Sequence, residues 1–87
     1  MPTKGDLARI WADKKPAVRV GKSRLESGVV EEIIRQLKKQ KIIKVRFLRT
    51  ATAEVNVDTL AAALADQTAS EVLGRRGSVV VLALRQR

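Results

Sequence analysis

The residues best suited to chemistry in this sequence are cations, and they are concentrated in the stretch KKQKIIKVRFLR, residues 38–49. The stretch holds six Lys and Arg residues and no acidic residue. Apolar residues alternate with cations in its second half, which is typical of a strand with one buried and one solvated face. We therefore expect the apolar side chains to enter the core while Lys44 and Arg46 project from the other face.

The lysines before this strand have two explanations. Lys38 and Lys39 fall where a helix is expected to end, and cations there stabilise the helix dipole by about 0.3–1 kcal/mol. That effect does not account for Lys41, Lys44, Arg46 and Arg49, which continue without an acidic neighbour. We expect these residues to bind a polyanion.

A second candidate site is VGKSRLESG, residues 20–28. Gly21 and Lys22 resemble part of a P-loop, but that motif needs a glycine where this chain has Pro16, so a nucleotide-binding P-loop is excluded. A glycine between a strand and a helix start exposes backbone amides that can face a phosphate, and Lys22 and Arg24 would add charge. An ordinary strand-to-helix turn is the alternative.

The third candidate is Gly74-Arg75-Arg76-Gly77. Its glycines suit a hairpin turn, because tight turns need positive φ values. Two arginines at the tip of such a turn would be well placed to contact phosphate. The turn alone would also explain the motif.

Catalysis is not indicated by the composition. The chain has no Cys and no His, which removes disulfides, the usual zinc ligands and the usual base and nucleophile pairs. We expect no enzyme activity, no metal and no cofactor. One Phe, one Trp and no Tyr cannot form a base-stacking platform, so recognition of a nucleic acid would depend on its phosphates, sugars and shape.

The net charge of +9 is segregated along the chain. Residues 1–13 sum to zero, residues 14–49 to +9, residues 50–73 to −4 and residues 74–87 to +4. A charge that served only solubility would be mixed, whereas segregation is typical of a nucleic-acid-binding face. A soluble basic surface and an anionic membrane are less favoured explanations.

The 87 residues suit one domain, 1–87, with residues 1–6 expected to be flexible. No apolar run reaches 18 residues and the start lacks the apolar stretch of a signal peptide, so we expect a cytoplasmic protein without membrane contact. Hydrophobic periodicity predicts α/β (α+β) structure in the order (α)βαβαββ. The predicted elements are a short helix over 7–12, strands over 17–20, 43–48, 70–73 and 79–84, and helices over about 26–40 and 57–68.

Two capping signals accompany the helices. Ser23 and Glu26 have the spacing of a capping box at the start of the first long helix. Either Asn56 or Asp58 could cap the second one. Residues 50–56 are predicted to form a loop and Phe47 to lie in the core. Trp11 is predicted to lie in the core, with an exposed stacking surface as the alternative.

Three segments in order, KKPAVRVGKSRLESGVVEEI, KIIKVRFL and GRRGSVVVL, resemble the CRM-domain (YhbY-like) RNA-binding family. The resemblance implies a compact domain with a four-stranded mixed sheet and packed helices, similar to the C-terminal domain of bacterial translation initiation factor three. It implies RNA binding without catalysis: bacterial relatives associate with precursors of the large ribosomal subunit, and plant relatives act in organelle intron splicing. Gly21, Lys22 and Ser23 match the family's Gly-x-x-Gly loop, whereas Arg24 stands where the second glycine is expected.

The resulting hypothesis is an RNA-binding accessory factor for ribosome assembly or translation, with ribosomal RNA or its precursor as ligand and pre-ribosomal particles as further partners. A chromatin protein of the Alba kind and an integral ribosomal protein are the alternatives. The predicted RNA-binding residues are Lys14, Lys15, Gly21, Lys22, Ser23, Arg24, Lys41, Lys44, Arg46, Arg75 and Arg76.

Overall fold

A computed structural model describes residues 4–12, 15–22 and 26–85. The elements follow the predicted order with one additional short helix. They are α1 (Lys4–Ala12), β1 (Val18–Val20), α2 (Ser27–Gln40), β2 (Ile42–Phe47), α3 (Arg49–Thr52), α4 (Val57–Gln67), β3 (Ser70–Arg76) and β4 (Val79–Leu84).

The four strands form one mixed sheet in the order β1-β2-β4-β3. β1 pairs with β2 in parallel, and β4 pairs with β2 and β3 in antiparallel fashion. β4 is central, as its continuous apolar run VVVLAL predicts. The predicted fold class, a single α+β domain with a four-stranded mixed sheet, is confirmed.

One face of the sheet carries the main core. Ile43, Val45 and Phe47 of β2 are at most 1% exposed and pack with Ile33 and Leu37 of α2. α2 lies against β1, β2 and β4, while α4 lies against β3. Phe47 is a core residue, as predicted.

The other face of the sheet is also partly covered, which the sequence did not predict. Val81 and Ala83 of β4 are fully buried although they lie outside the main core, and α1 packs against β2 beside them. Lys44 is paired with Val81 and points to this face, where it is only 7% exposed. The prediction that Lys44 projects into solvent is therefore wrong, because a helix covers that part of the strand.

α2 matches its predicted position to within a residue, but its predicted cap is wrong. Glu26 occupies the N-cap position and makes no side-chain capping bond, so the helix begins too late for Ser23 to cap it. Its C-cap, Lys41, has φ 71° and donates its amide to the Leu37 carbonyl. α2 thus ends in a sharp reversal that leads directly into β2.

For α4 the structure decides between the two possible caps. The Asn56 side chain accepts a hydrogen bond of 2.8 Å from the Thr59 amide, so Asn56 is the N-cap. Asp58 lies in the first turn, where a negative charge is favourable.

The C-terminal hairpin differs from its prediction. β3 continues through Gly74, Arg75 and Arg76, and the turn consists of Gly77 and Ser78. Gly77 has φ 59°, which matches the first central position of a type II′ turn. Arg75 and Arg76 are therefore strand residues on opposite faces of the sheet, and they do not form the tip of the turn.

Two further predictions need correction. Residues 4–6 belong to α1 and are not a loose end. The predicted loop over 50–56 begins with the helical turn α3, whose Ala51 is fully buried. A buried alanine in a single turn leaves no periodic signal in the sequence.

Candidate nucleic-acid interface

The topology brings the termini of all four strands together at one end of the sheet, which we call the loop end. β1 and β2 both finish there, at Val20 and Phe47, and the β3–β4 turn lies beside them. The Leu48 amide donates to the Val20 carbonyl at 2.8 Å, and the Phe47 amide donates to the Ser78 carbonyl at 2.8 Å. The Gly21–Lys22 loop and the β2–α3 connection are thus neighbours.

An arginine row crosses the sheet at the loop end; it consists of Arg19, Arg46 and Arg76. In the strand register Arg19 is paired with Arg46, Arg46 with Val79, and Val79 with Arg76. Paired residues point to the same face of a sheet, so all three guanidinium groups lie on the α1 face. Each arginine is exposed.

Arg19 and Arg46 are nearest neighbours in this row. Adjacent strands are about 4.8 Å apart, so two like charges stand side by side. Neither arginine forms a salt bridge with a carboxylate of the residues that the structure describes. An anion between the two guanidinium groups would relieve their repulsion.

Arg76, at the other end of the row, has an aromatic partner. Its guanidinium carbon lies 4.6 Å from the centroid of the Trp11 ring, within the range of a cation–π interaction. Trp11 also lies against the strand at Gly74, where an added Cβ would be 3.5 Å from Cζ2 of the indole. Trp11 is half-buried, so it is neither a full core residue nor a free stacking surface.

The Gly21–Lys22 loop borders a cavity of about 490 Å³ lined by Lys22, Thr50, Ala53 and Glu54. A Cβ on Gly21 would lie 3.3 Å from Thr50 Oγ1, which is tighter than most contacts of that type. The glycine thus allows the loop to approach α3 closely. Ser23 and Arg24, also predicted to bind RNA, lie outside the described residues.

A second cleft, of about 290 Å³, connects the arginine row with α3. Its walls include the side chains of Arg46 and Arg49, both exposed. The remaining lining residues are Phe47, Leu48, Thr52 and Ser78. The loop end therefore combines concave surface with positive charge.

Several predicted residues lie away from the arginine row. Arg75 points to the α4 face, where its Nε lies 2.6 Å from Asp58 Oδ1 and its guanidinium donates to the Gly77 carbonyl. Lys41 precedes β2 at the opposite end of the sheet, about 17 Å from Arg46 at the usual rise per residue. Lys15 is exposed on the chain leading into β1, and Lys14 is outside the described residues. Their RNA-binding roles stay predictions.

Sequence reasoning missed Arg19 as a candidate and left Arg49 out of the predicted RNA-binding residues. Arg19 stands between two buried valines, Val18 and Val20, so its outward direction was readable from the alternation. Its position beside Arg46 could not be read from the sequence, because that position depends on the pairing register of β1 with β2. Arg49 was noted as a basic residue, but its place in a cleft depends on α3.

Two other classes of site are absent from the part of the chain that the structure describes. It contains no group of three or more acidic residues arranged to hold a metal ion. None of its helices combines the length and apolar character needed to cross a membrane.

Comparison with protein families decides the affiliation of the chain. The family model described as the CRS1/YhbY (CRM) domain matches residues 3–83. The chain belongs to this family. The resemblance inferred from the three sequence segments is thereby confirmed.

A solved structure supports the same fold. The solution structure of a hypothetical protein from Staphylococcus aureus, described as a proposed RNA-binding protein, superimposes with a TM-score of 0.69 at 22% sequence identity. The match covers 100% of this chain and 92% of the other. Among curated proteins no match was found.

Proposed function

We propose that this protein binds RNA at the loop end of its sheet and acts as an accessory factor in ribosome assembly, with precursor RNA of the large subunit as its ligand. The observation that carries the proposal is the arginine row, in which three exposed cations from three strands face the same way. Membership of the CRS1/YhbY (CRM) domain family and the net charge of +9 support it.

The proposed phosphate contacts come from five exposed cations of the described residues. They are Arg19, Lys22, Arg46, Arg49 and Arg76. Arginine is suited to this role because its planar group can donate two parallel hydrogen bonds to a phosphate. Strand spacing sets the separation of the row, about 5 Å between Arg19 and Arg46 and about 10 Å between Arg46 and Arg76.

The same surface has few means of identifying bases. Phe47 is buried and Trp11 is already covered by Arg76. Direct stacking of several bases on aromatic rings, as on many single-strand-binding sheets, is therefore not available. The ligand is expected to be selected mainly by its backbone shape.

The RNA-binding proposal is tested by measuring affinity for a structured RNA by fluorescence anisotropy at several salt concentrations. Five neutralised phosphates predict a log–log slope of about −3.5 to −4.5, from about 0.7 to 0.9 per contact. A slope near −1, or equal affinity for duplex DNA of the same length, would overturn the proposed interface.

The ribosomal role needs a cellular test: crosslinking in the native cell, followed by sequencing of the bound nucleic acid. Reads concentrated on precursor sequences of large-subunit RNA would support an assembly factor. Reads restricted to mature ribosomal RNA would point to a resident ribosomal protein. Recovery of DNA from the whole genome would point to a chromatin protein.

A further inference from the structure

The three arginines of the row have different surroundings. Arg19 and Arg46 have each other as charged neighbours, which favours an anion between them. Arg76 has apolar neighbours: the Trp11 ring, the side-chain-free Gly74, and Val79 directly across the strand pair. Arg76 therefore has an apolar and aromatic surface beside its charge, which a position that binds only phosphate would not need.

An arginine held against an aromatic ring is restricted in orientation. The guanidinium group is planar and stacks on flat π-systems, and RNA bases stack on arginine planes as well as on aromatic rings. One side of the Arg76 group faces Trp11, at 4.6 Å from the ring centroid, and the side chain is exposed. A flat ligand can therefore approach the side away from the indole.

We propose that Arg76, backed by Trp11, stacks one unpaired RNA base at the edge of the arginine row. The inference rests on the RNA-binding function proposed above and makes it more specific. Arg19 and Arg46 bind the backbone alone, while Arg76 donates to phosphate in the plane of its guanidinium group and also stacks a single extruded or unpaired base on its face. With one such position, the protein distinguishes unpaired from fully paired RNA without reading a long sequence.

Two single-stranded probes of equal length separate stacking from charge: oligoadenylate, and an oligoribonucleotide of the same backbone with every base removed. Both present the same phosphates, so a preference for oligoadenylate measures contacts with bases. A stacked base is expected to give a preference of about fivefold or more.

Matched substitutions locate the base contact. R76K keeps the charge but removes the planar group, so it should abolish the preference for oligoadenylate. R46K makes the same chemical change at the neighbouring position and should leave the preference intact. Both side chains are exposed, so neither substitution should unfold the protein; circular dichroism checks this.

Trp11 provides an independent readout. It is the only tryptophan, so its fluorescence reports on the Arg76 position directly. We expect oligoadenylate to change this fluorescence in the wild type more than the abasic probe does, and R76K to remove the difference.

The outcomes are distinguishable. Loss of the preference in R76K but not in R46K supports the stacking position. No preference in the wild type, or an equal loss in both variants, overturns it and leaves the RNA-binding proposal standing. Failure of the wild type to bind either probe or a structured RNA would overturn both proposals.

Discussion

The substitution Arg46→Gln should change stability and RNA affinity in opposite directions. In the free protein Arg46 stands beside Arg19 in the parallel register of β1 and β2. Removing one of the two like charges relieves their repulsion. Removing it also deletes a proposed phosphate contact from the centre of the arginine row.

The stability effect can be estimated from Coulomb's law. For two unit charges about 5 Å apart, the spacing of adjacent strands, the repulsion is about 0.8 kcal/mol at the dielectric constant of water. Screening over a Debye length of about 8 Å lowers it to about 0.45 kcal/mol at physiological salt. For a domain of this size, Arg46→Gln should therefore raise the melting temperature by about 2–4 °C.

The affinity effect is larger and has the opposite sign. A hydrogen-bonded phosphate contact of about 1–2 kcal/mol corresponds to a weakening of about 5- to 30-fold. The salt slope should become less steep by about 0.7–0.9. Thermal unfolding and anisotropy titrations on the same preparation measure both quantities.

Arg35→Gln is the matched control, because it removes the same charge from an exposed position on α2 where Arg35 is paired with Glu32. It should leave the RNA affinity almost unchanged. A destabilised Arg46→Gln protein with unaltered RNA affinity would refute the reasoning, since Arg46 would then be a structural residue.

Three further predictions concern the scaffold. Lys41→Gly should raise the melting temperature by about 2–4 °C, because a backbone φ of 71° costs a residue with a side chain roughly 0.5 kcal/mol more than it costs glycine. The same substitution should leave RNA affinity within twofold of the wild type, whereas a large loss of affinity would place Lys41 in the interface. Gly77→Ala should lower the free energy of unfolding by about 1–2 kcal/mol, because alanine is strained at the φ of 59° that Gly77 adopts. Gly28→Ala is the control: Gly28 lies in helix α2 with open space around it, so this substitution should not destabilise the protein. Urea unfolding compares the two variants, and equal effects would contradict the turn assignment. The pKa of Glu32 should lie below its usual value, because its carboxylate accepts a hydrogen bond from Arg35, the larger effect, and another from Gln36. The Glu32–Arg35 pair therefore contributes stability at neutral pH that disappears as the pH falls below about 4.5. An NMR titration in which Arg35→Gln did not raise the pKa of Glu32 would contradict the assignment.

Much of the fold was predictable because local patterns and tertiary packing agree. The β4 bounds follow from an uninterrupted apolar run, and α2 follows from apolar residues at helical spacing opposite charged ones. Asn56 and Asp58 both suit a helix start, and only the hydrogen bond to Thr59 decides between them.

The candidate site was less predictable, because it depends on register and layering. Alternation shows that Lys44 and Arg46 share a face, but it does not reveal that α1 covers Lys44 and leaves Arg46 exposed. Similarly, Arg75 and Arg76 are adjacent in sequence, yet strand geometry sends one to Asp58 and the other to Trp11. Neither pairing has a signature in the local sequence.

The most direct test of the central claim is an NMR titration of the ¹⁵N-labelled protein with a structured RNA. Binding at the loop end predicts the largest amide shifts at Arg19, Gly21, Arg46 and Gly77, with small shifts at Lys41. The largest shifts at Lys41 and Arg85, at the opposite end of the sheet, would contradict the account.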